Sequence, residues 1–395
     1  MREEMTTLGE SCQFFNGKAH EKVIDAEGQF VVVNSKFISQ EGRVLKFTGK
    51  QMFPLYEDDI VMVMSDVPNG KALAKCYIIE ENDKYSLNQR ICAIRTTEFN
   101  IRFLYYQLNR HPYLLAFNNG ENQTNLRKGD ILNCPLWKPP LDIQEQIVEL
   151  LDETLEQVNS AESNIVSNIN NTEKLFQSKL NELFENEDED WDTKTFKEVC
   201  SVITDGTHQT PKYFDSGYIF LSSKNVTTGK IDWENIKYID EAQHLKMYKR
   251  LKPQKNDILL AKNGTTGVAA IVDVDKVFDI YVSLALLRPT ETIYPYYFLH
   301  FINSLKAKKQ FNKRLIGVGV PNLHLKEIKE VVISFPKSID EQVKIANYID
   351  ELIEFRDSLK DTYQNKLENV RELREAIFQK AFTGRIINQE QSITV

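Results

Sequence analysis

Apolar residues along this chain fall into two kinds of pattern, and each kind occurs twice. Over residues 143–185, Ile147, Leu151, Leu155, Val158, Ile165, Ile169, Phe176, Leu180 and Leu183 recur at helical spacing, with no Pro or Gly from Leu141 to Asp205. Asp142, just after Pro140, is the expected N-cap of one long helix. About 43 residues at 1.5 Å each give roughly 65 Å. A second run over about 340–382 carries Val343, Ile349, Leu352, Leu359, Tyr363, Leu367, Val370, Leu373 and Ile377, with Gly384 as its expected stop. Neither apolar stripe can be buried by its own helix. Antiparallel pairing into a coiled-coil-like rod is the simplest way to cover both. Asn168 and Thr172 fall near that seam, where they would set register; the same spacing also fits a solvent-facing side.

Residues 1–138 and 191–336 show the other pattern. "GQFVVVNSKFI" and "NDILLAKNGTTGVAAIVD" are β-branched or aliphatic runs broken at Gly and Asn. "IRFLYYQLNRHPYLLAF" and "YYFLHFINSLKAKKQF" read as short amphipathic helices. Each segment is expected to form an α+β globule.

The likeness between the halves runs nearly the whole length. "LGESC" (8–12) faces "FKEVC" (196–200), setting Cys12 on Cys200, and "NGKAH" (16–20) faces "DGTHQ" (205–209). "VNSKFIS" (33–39) faces "LSSKNVT" (221–227), and "DIVMV" (59–63) faces "DILLA" (257–261). "FLYYQLN" (103–109) faces "FLHFINS" (298–304), and "TNLRKGDI" (124–131) faces "PNLHLKEI" (321–328). "EQ" (145–146) faces "EQ" (341–342), and "LFQSKLNELF" (175–184) faces "IFQKAFTGRI" (377–386). The offset drifts only from 188 to 202 residues, which marks a tandem duplication far longer than a solenoid repeat. The expected fold is α+β: two globular α/β domains, 1–138 and 191–336, related by internal duplication and separated by two long antiparallel helices. The spacer segments are 139–190 and 337–387, with a tail at 388–395.

The chain has 395 residues, 42% of them hydrophobic, enough for sizeable cores. It has no apolar run of 18 residues and no apolar leader after "MREEMTTLGES", and its five cysteines are an odd number without CxxC spacing. These features fit a reduced, cytoplasmic protein with no membrane span. The net charge of −8 is unevenly spread: residues 1–140 are neutral, 141–190 carry −12, 191–338 carry +7 and 339–395 carry −3. A polyanion responds to the local patch rather than to the total.

No catalytic constellation is legible. "WKPPLD" has Lys138 and Leu141 where the amide and aromatic of a methyltransferase loop would stand, and "GVGVP" (317–321) lacks a following phosphate cradle. Neither a P-loop nor a His/Cys cluster of metal-ligand spacing occurs. Polar, turn-forming stretches recur instead at matched positions. In the first half these are Lys18, His20, Asn34, Ser35, Lys36, Asn69, Lys71, Asn88, Gln89 and Arg90. In the second they are Thr207, His208, Gln209, Ser223, Lys224, Asn225, Lys262, Asn263 and Thr265. Arg and Lys pair guanine edges, and Asn and Gln pair adenine edges. The same residue types also build plain turns, so each alone fits an ordinary surface; as matched sets they point to DNA. The run "LKAKKQFNKR" (305–314), with Lys309, Lys313 and Arg314, suits phosphate contacts.

"W-x4-F-K-E-V" at Trp191–Val199, "DGTHQTP" (205–211), "NDILLAKNGTTG" (256–267), "GVGVPNLHLKEIKEVVISFP" (317–336) and "AIFQKAFTGRI" (376–386) resemble the specificity subunit of type I restriction–modification systems. The resemblance spans the whole chain. It implies a non-catalytic subunit in which each domain reads one half of a split, asymmetric site in double-stranded DNA while the paired helices fix the unread gap. It further implies two modification subunits, which methylate adenine, and two restriction subunits. S-adenosylmethionine, ATP and Mg2+ would belong to those partners, with no cofactor in this chain. The first half departs from the pattern by opening at "TTLGESC" without a tryptophan, and it reads "SDVPNGKA" (65–72) where the second reads "KNGTTGVA" (262–269). The competing reading is a self-contained DNA methyltransferase or nuclease with its own recognition domains. A scaffold that binds only protein through its acidic helices is a third.

Overall fold

The computed structural model describes residues 4–68, 70–185, 189–314 and 322–382. The chain divides into two compact units, one combining Met1–Ser163 with Leu367–Val395 and the other formed by Asn164–Lys366. Each contains one globule and part of both long helices.

The central strands explain the layering. "IVMV" (Ile60–Val63) and "ILLA" (Ile258–Ala261) are buried at every position, as continuous apolar runs covered on both faces should be. In the first globule Ile60, Met62, Cys92 and Ile94 point one way, against Phe103, Leu104, Ile147 and Leu151 of the helices. Val61, Val63, Ile91 and Ala93 point the other way, against Val31, Val33 and Leu87. The period of two thus divides one sheet between two cores. The second globule repeats the division. Ile258, Leu260, Ala285 and Leu287 meet Phe184, Phe298, Phe301 and Ile349, while Leu259, Ala261, Leu284 and Leu286 meet Leu221, Phe278 and Ile280. Each globule is therefore three layers: helices, a four-stranded sheet, and a three-stranded sheet.

The two main sheets are duplicated strand for strand. The four-stranded antiparallel sheet runs Gln13–Asn16, Ile91–Arg95, Ile60–Val63, Cys76–Ile78 in one globule and Cys200–Asp205, Leu284–Pro289, Ile258–Ala261, Ala269–Ile271 in the other. The smaller sheet runs Phe47–Thr48, Phe30–Val33, Tyr85–Leu87 and, in the second globule, Lys237–Ile239, Tyr218–Leu221, Phe278–Ile280; its last two strands are parallel. A ribbon of Met5–Thr7 with Pro135–Trp137, or Trp191–Thr195 with Val332–Pro336, brings each globule's entry beside its exit. Thr7 and Thr195 cap equivalent short helices through Glu10 and Glu198, and Cys12 and Cys200 follow those helices at the matching place. By this register the counterpart of Trp191 is Glu3, outside the described residues.

The long helices span Leu141–Phe184 and Ile339–Phe382. Asp142 accordingly lies inside the first turn rather than at the cap. The expected stop at Gly384 lies outside the described residues, as do the tail and "GVGVP" (317–321). The pairing is antiparallel within each unit. In one, Arg374 meets Glu162 at 3.0 Å while Ile377 and Ala381 pack with the core that holds Ile147 and Leu151. In the other, Lys360 meets Glu173 at 3.4 Å and Arg356 lies over the Phe176 ring at 4.4 Å. Asn168 is exposed, and the Thr172 hydroxyl donates to the Asn168 carbonyl at 2.8 Å. The Thr172 hydroxyl is thus spent on its own helix. Leu373, expected on the stripe, is 53% exposed.

One side chain fixes each helix to its globule. Gln144, 1% exposed, accepts from the Asn100 N–H at 2.9 Å and donates to the Pro139 carbonyl at 2.7 Å. Gln342, fully buried, accepts from the Tyr294 N–H at 2.7 Å and donates to the carbonyls of Pro336 (2.7 Å) and Thr292 (3.1 Å). The repeat is thus in register at Gln144 with Gln342, not at residues 145–146 with 341–342; Gln146 is exposed. Gln144→Ala and Gln342→Ala are each expected to cost about 1–3 kcal/mol, because a buried amide N–H loses its partner. Gln146→Ala should cost nearly nothing. Urea unfolding of the three variants checks the difference.

Candidate nucleic-acid interface

The parallel strands Phe30–Val33 and Tyr85–Leu87 end side by side, and the chain after Asn16 crosses their ends. The crossing is tight: a Cβ on Gly17 would sit 1.9 Å from the Asn88 carbonyl oxygen, and one on Gly206 would sit 1.9 Å from that of Ile280. Only glycine allows this approach. Lys18 then pairs with Asn88, and Thr207 with Tyr281, through matching backbone bonds. Asn88 N–H bonds the Val33 carbonyl, and Tyr281 N–H bonds that of Leu221. The loops at 17–20, 34–36 and 88–90 therefore converge, as do those at 206–209, 222–225 and 281–283. A further loop joins each cluster. Met64 N–H bonds the Arg90 carbonyl at 2.9 Å, and Lys262 N–H bonds that of Ser283 at 2.8 Å.

Within these clusters the candidates divide by burial. Lys18, Lys36, Lys71, Gln89 and Arg90 are exposed in the first globule; His208, Gln209, Lys224 and Thr265 are exposed in the second. Arg90 holds φ 67° at the tip of its turn, and the Gln89 amide donates to Glu21. Asn69 lies outside the described residues. His20, Asn225 and Lys262 are interior residues, which corrects their expected place at the interface. His20 is 1% exposed, with its ring nitrogens 2.7 Å from the Lys18 carbonyl and 2.7 Å from Ser86 Oγ. Asn225 accepts from the Ser222 N–H at 2.9 Å and donates to the Asn235 carbonyl at 3.0 Å. Asn34 caps the helix Ser35–Ser39 by accepting from the Phe37 N–H, and Asn88 Oδ1 lies 3.2 Å from His20 Nδ1. Ser223 N–H donates to Ser283 Oγ, and Asn263 bridges to Asn322. Lys309 and Lys313 are exposed on the helix Leu305–Arg314, whose Ala307 and Phe311 face the helix-side core. Arg314 is turned onto the carbonyls of Gln310 and Glu330.

Lys262 ends in a buried ion pair. Its ammonium lies 2.7 Å from Asp205 Oδ2, with both residues under 8% exposed, and the other Asp205 oxygen lies 3.3 Å from the exposed His208 ring. In the first globule the strand register sets Asn16 and Met64 at these two positions. At the opposite end of the same sheet the halves agree. Arg95 grips Asp59 through two bonds (2.5 and 2.9 Å), and Arg288 grips Asp257 likewise (2.7 and 2.7 Å). Those bonds raise both arginines above their ordinary pKa. Asp58 and Asn256 precede them with φ 67° and 71°, a conformation these residue types tolerate. Beside Arg95 lies a shallow cleft of about 460 Å³ whose rim includes Glu10, Glu57 and Asp58; burial pushes its Cys12 thiol up to about 11. In sequence the only signal of these Asp–Arg clamps is the shared Asp that opens "DIVMV" and "DILLA", with an Arg ending the neighbouring strand. Tyr281, Ser283 and the cations of "HLKMYKR" (244–250) carry no motif that marks them before the loops are brought together.

Two globules of one topology, each presenting loops at the same sheet end and joined in sequence through long helices, define a duplicated α+β protein. The chain belongs to the type I restriction modification DNA specificity family: that domain's family model matches residues 3–171 and 188–369. It is a non-catalytic DNA-specificity subunit, and membership favours that reading over the self-contained enzyme. The chain is 27% identical over 334 residues to the type I restriction enzyme EcoBI specificity subunit of Escherichia coli, covering 77% of this chain and 70% of that protein. It is 22% identical over 406 residues to the MjaVIII specificity subunit of Methanocaldococcus jannaschii, covering 97% and 92%. Among solved structures, a chain from a study of complex assembly and conformational transition in the type I R-M system aligns with a TM-score of 0.77 and 19% identity, covering 97% of this chain and 98% of that one. The HsdS subunit from Thermoanaerobacter tengcongensis aligns with a TM-score of 0.59 and 19% identity, covering 97% of each. At that identity these two establish the fold. Among the described residues, no helix is long and apolar enough to cross a membrane, and no group of His, Cys, Asp and Glu could hold a metal ion.

Lys262→Met should destabilise the second unit by up to about 3–5 kcal/mol, because the buried Asp205 loses its lysine and keeps only the exposed His208 ring at 3.3 Å. Adding Asp205→Asn, which reproduces the first globule's pair, should recover most of that loss. Thermal unfolding of the single and double variants reads the difference.

Proposed function

We propose that each globule reads one half of a split, asymmetric site in double-stranded DNA, and that the paired helices fix the unread gap between the halves. The observation that carries this reading is the divergence of side chains on a duplicated frame. At equivalent loop positions the first globule offers Lys18, Ala19 and Arg90, and the second offers Thr207, His208 and Ser283. Equal frames with unequal loops suit two different half-sites. Segments 1–138 and 191–336 act as the reading domains, with 139–190 and 337–387 as spacer. Half-sites about one helical turn apart, roughly 34 Å, lie within reach of helices of this length. The chain assembles with two modification and two restriction subunits in the cytoplasm. Those partners carry S-adenosylmethionine, ATP and Mg2+, and the duplicated frame supplies two equivalent joints.

Co-expression with a modification subunit and long-read mapping of methylated adenines tests the reading. A split motif with a fixed gap should appear only when this chain is present. Replacing residues 1–138 with a related domain should change one half of the motif; a change in both halves would refute modular reading. Adding about four residues, one helical turn or roughly 6 Å, to each long helix should lengthen the gap by about one or two base pairs. An unchanged gap in a folded complex would refute the ruler.

A further inference from the structure

The two globules differ most where the second is longest. Between the last strand residue of the small-sheet edge and the Asp–Arg clamp, the first globule has residues 49–58 and the second has residues 240–256. The extra length is folded into the helix Glu241–Tyr248, which has no counterpart in the first globule. The charge changes with it: residues 49–58 carry one basic and two acidic side chains, and residues 240–256 carry five basic and two acidic.

The helix is fixed from below and from the side. His244, 5% exposed, stacks on the Tyr218 ring at 3.8 Å, and its Nδ1 lies 2.7 Å from Asp279 Oδ2. Gln243 brackets the backbone of Lys212, accepting from its N–H at 2.9 Å and donating to its carbonyl at 3.1 Å. Lys246 reaches Gln209 Oε1 at 3.4 Å, and Arg250 donates to the Asp205 carbonyl at 2.6 Å. The helix and the loop 207–213 are therefore one surface, continuous with the candidate reading residues His208 and Gln209. Its outward cations are Lys212, Lys246, Lys249 and Arg250, all exposed, with Leu245 60% exposed among them. Lys237 adds a charge over the 42% exposed Tyr213 ring at 3.9 Å. The acidic residues Asp240 and Glu241 are confined to the helix start, where Asp240 is used as the cap.

We propose that helix Glu241–Tyr248, with Lys212 bound to it, forms a clamp for the phosphate backbone beside the half-site read by the second globule, an anchor that the first globule lacks. The proposal rests on the DNA-reading role given above. Cations held on a rigid support displace condensed counterions without reading bases, so their contribution is uniform across sequences and steeply salt-dependent.

The test uses the complex assembled with its modification subunits. DNA binding is measured from low to moderate salt for the wild type, for Lys246→Gln/Lys249→Gln, and for a control, Lys46→Gln/Lys50→Gln, that removes two exposed charges from the first globule. The Lys246/Lys249 variant should flatten the slope of log affinity against log salt by about two and weaken binding to all sequences alike. Its methylated motif should be unchanged, and unfolding midpoints should match across the three proteins. A slope equal to wild type, or an equal flattening by the control, would overturn the clamp while leaving DNA reading intact. A wild-type complex without motif-specific binding would overturn both.

Discussion

The molecule depends on a hydrogen bond that is written twice. Gln144 and Gln342 each enter a globule from the first turn of a long helix and hold its backbone there. In both halves the donor to the glutamine is the N-cap residue of the globule's own helix, Asn100 before Ile101–Leu108 and Tyr294 before Pro295–Asn303. In both halves a proline just before the long helix supplies the acceptor. An amide side chain carries both an acceptor for the one and donors for the other. Because the partners are backbone groups, Asn100 and Tyr294 can differ while the joint stays the same. A globule can therefore vary in sequence without losing its angle to the helix that leaves it. This is the physical content of the repeated segment.

The same division between fixed and free runs along each four-stranded sheet. At one end, paired Asp–Arg clamps and matching left-handed turns tie strands together identically in both globules. At the other end, the pair under the loops is charged in one globule and uncharged in the other, Lys262 with Asp205 against Met64 with Asn16. A buried ion pair is replaceable by uncharged residues as a unit but not one member at a time. That end of the sheet can thus change character by coupled substitution while the clamped end holds the frame.

Much of the frame was legible in the sequence, because duplication and periodicity survive averaging. The pairing of Cys12 with Cys200, the two long helices, their antiparallel sense and the α+β globules all follow from patterns many residues long. The errors were local. The "EQ" that recurs in the sequence sets the glutamine register two residues off, whereas burial picks Gln144. His20 read as a surface histidine beside "NGK", yet its fate is set by Ser86 and Asn88, more than sixty residues away in sequence. Asn34 and Asn225 share with base-reading residues a side chain that also caps and closes turns, and identity alone cannot divide the two uses. The Asp–Arg clamps were missed for the opposite reason, since each half of the clamp is an unremarked charge until the strand register brings them together.

The net charge of −8 resolves through the same layout. The acidic residues of 141–190 and the basic excess of 191–338 belong to different elements, so they do not cancel in space. Screening at physiological salt reduces interactions beyond roughly 8 Å. A phosphate therefore meets the lysines of a globule or the carboxylates of a helix, not their sum. The acidic stretch of 141–190 disfavours a polyanion along that helix, while the basic excess of 191–338 favours it on the second globule, and the first globule is neutral on balance. A total charge that counts against nucleic-acid binding thus loses that meaning once the charges are assigned to elements.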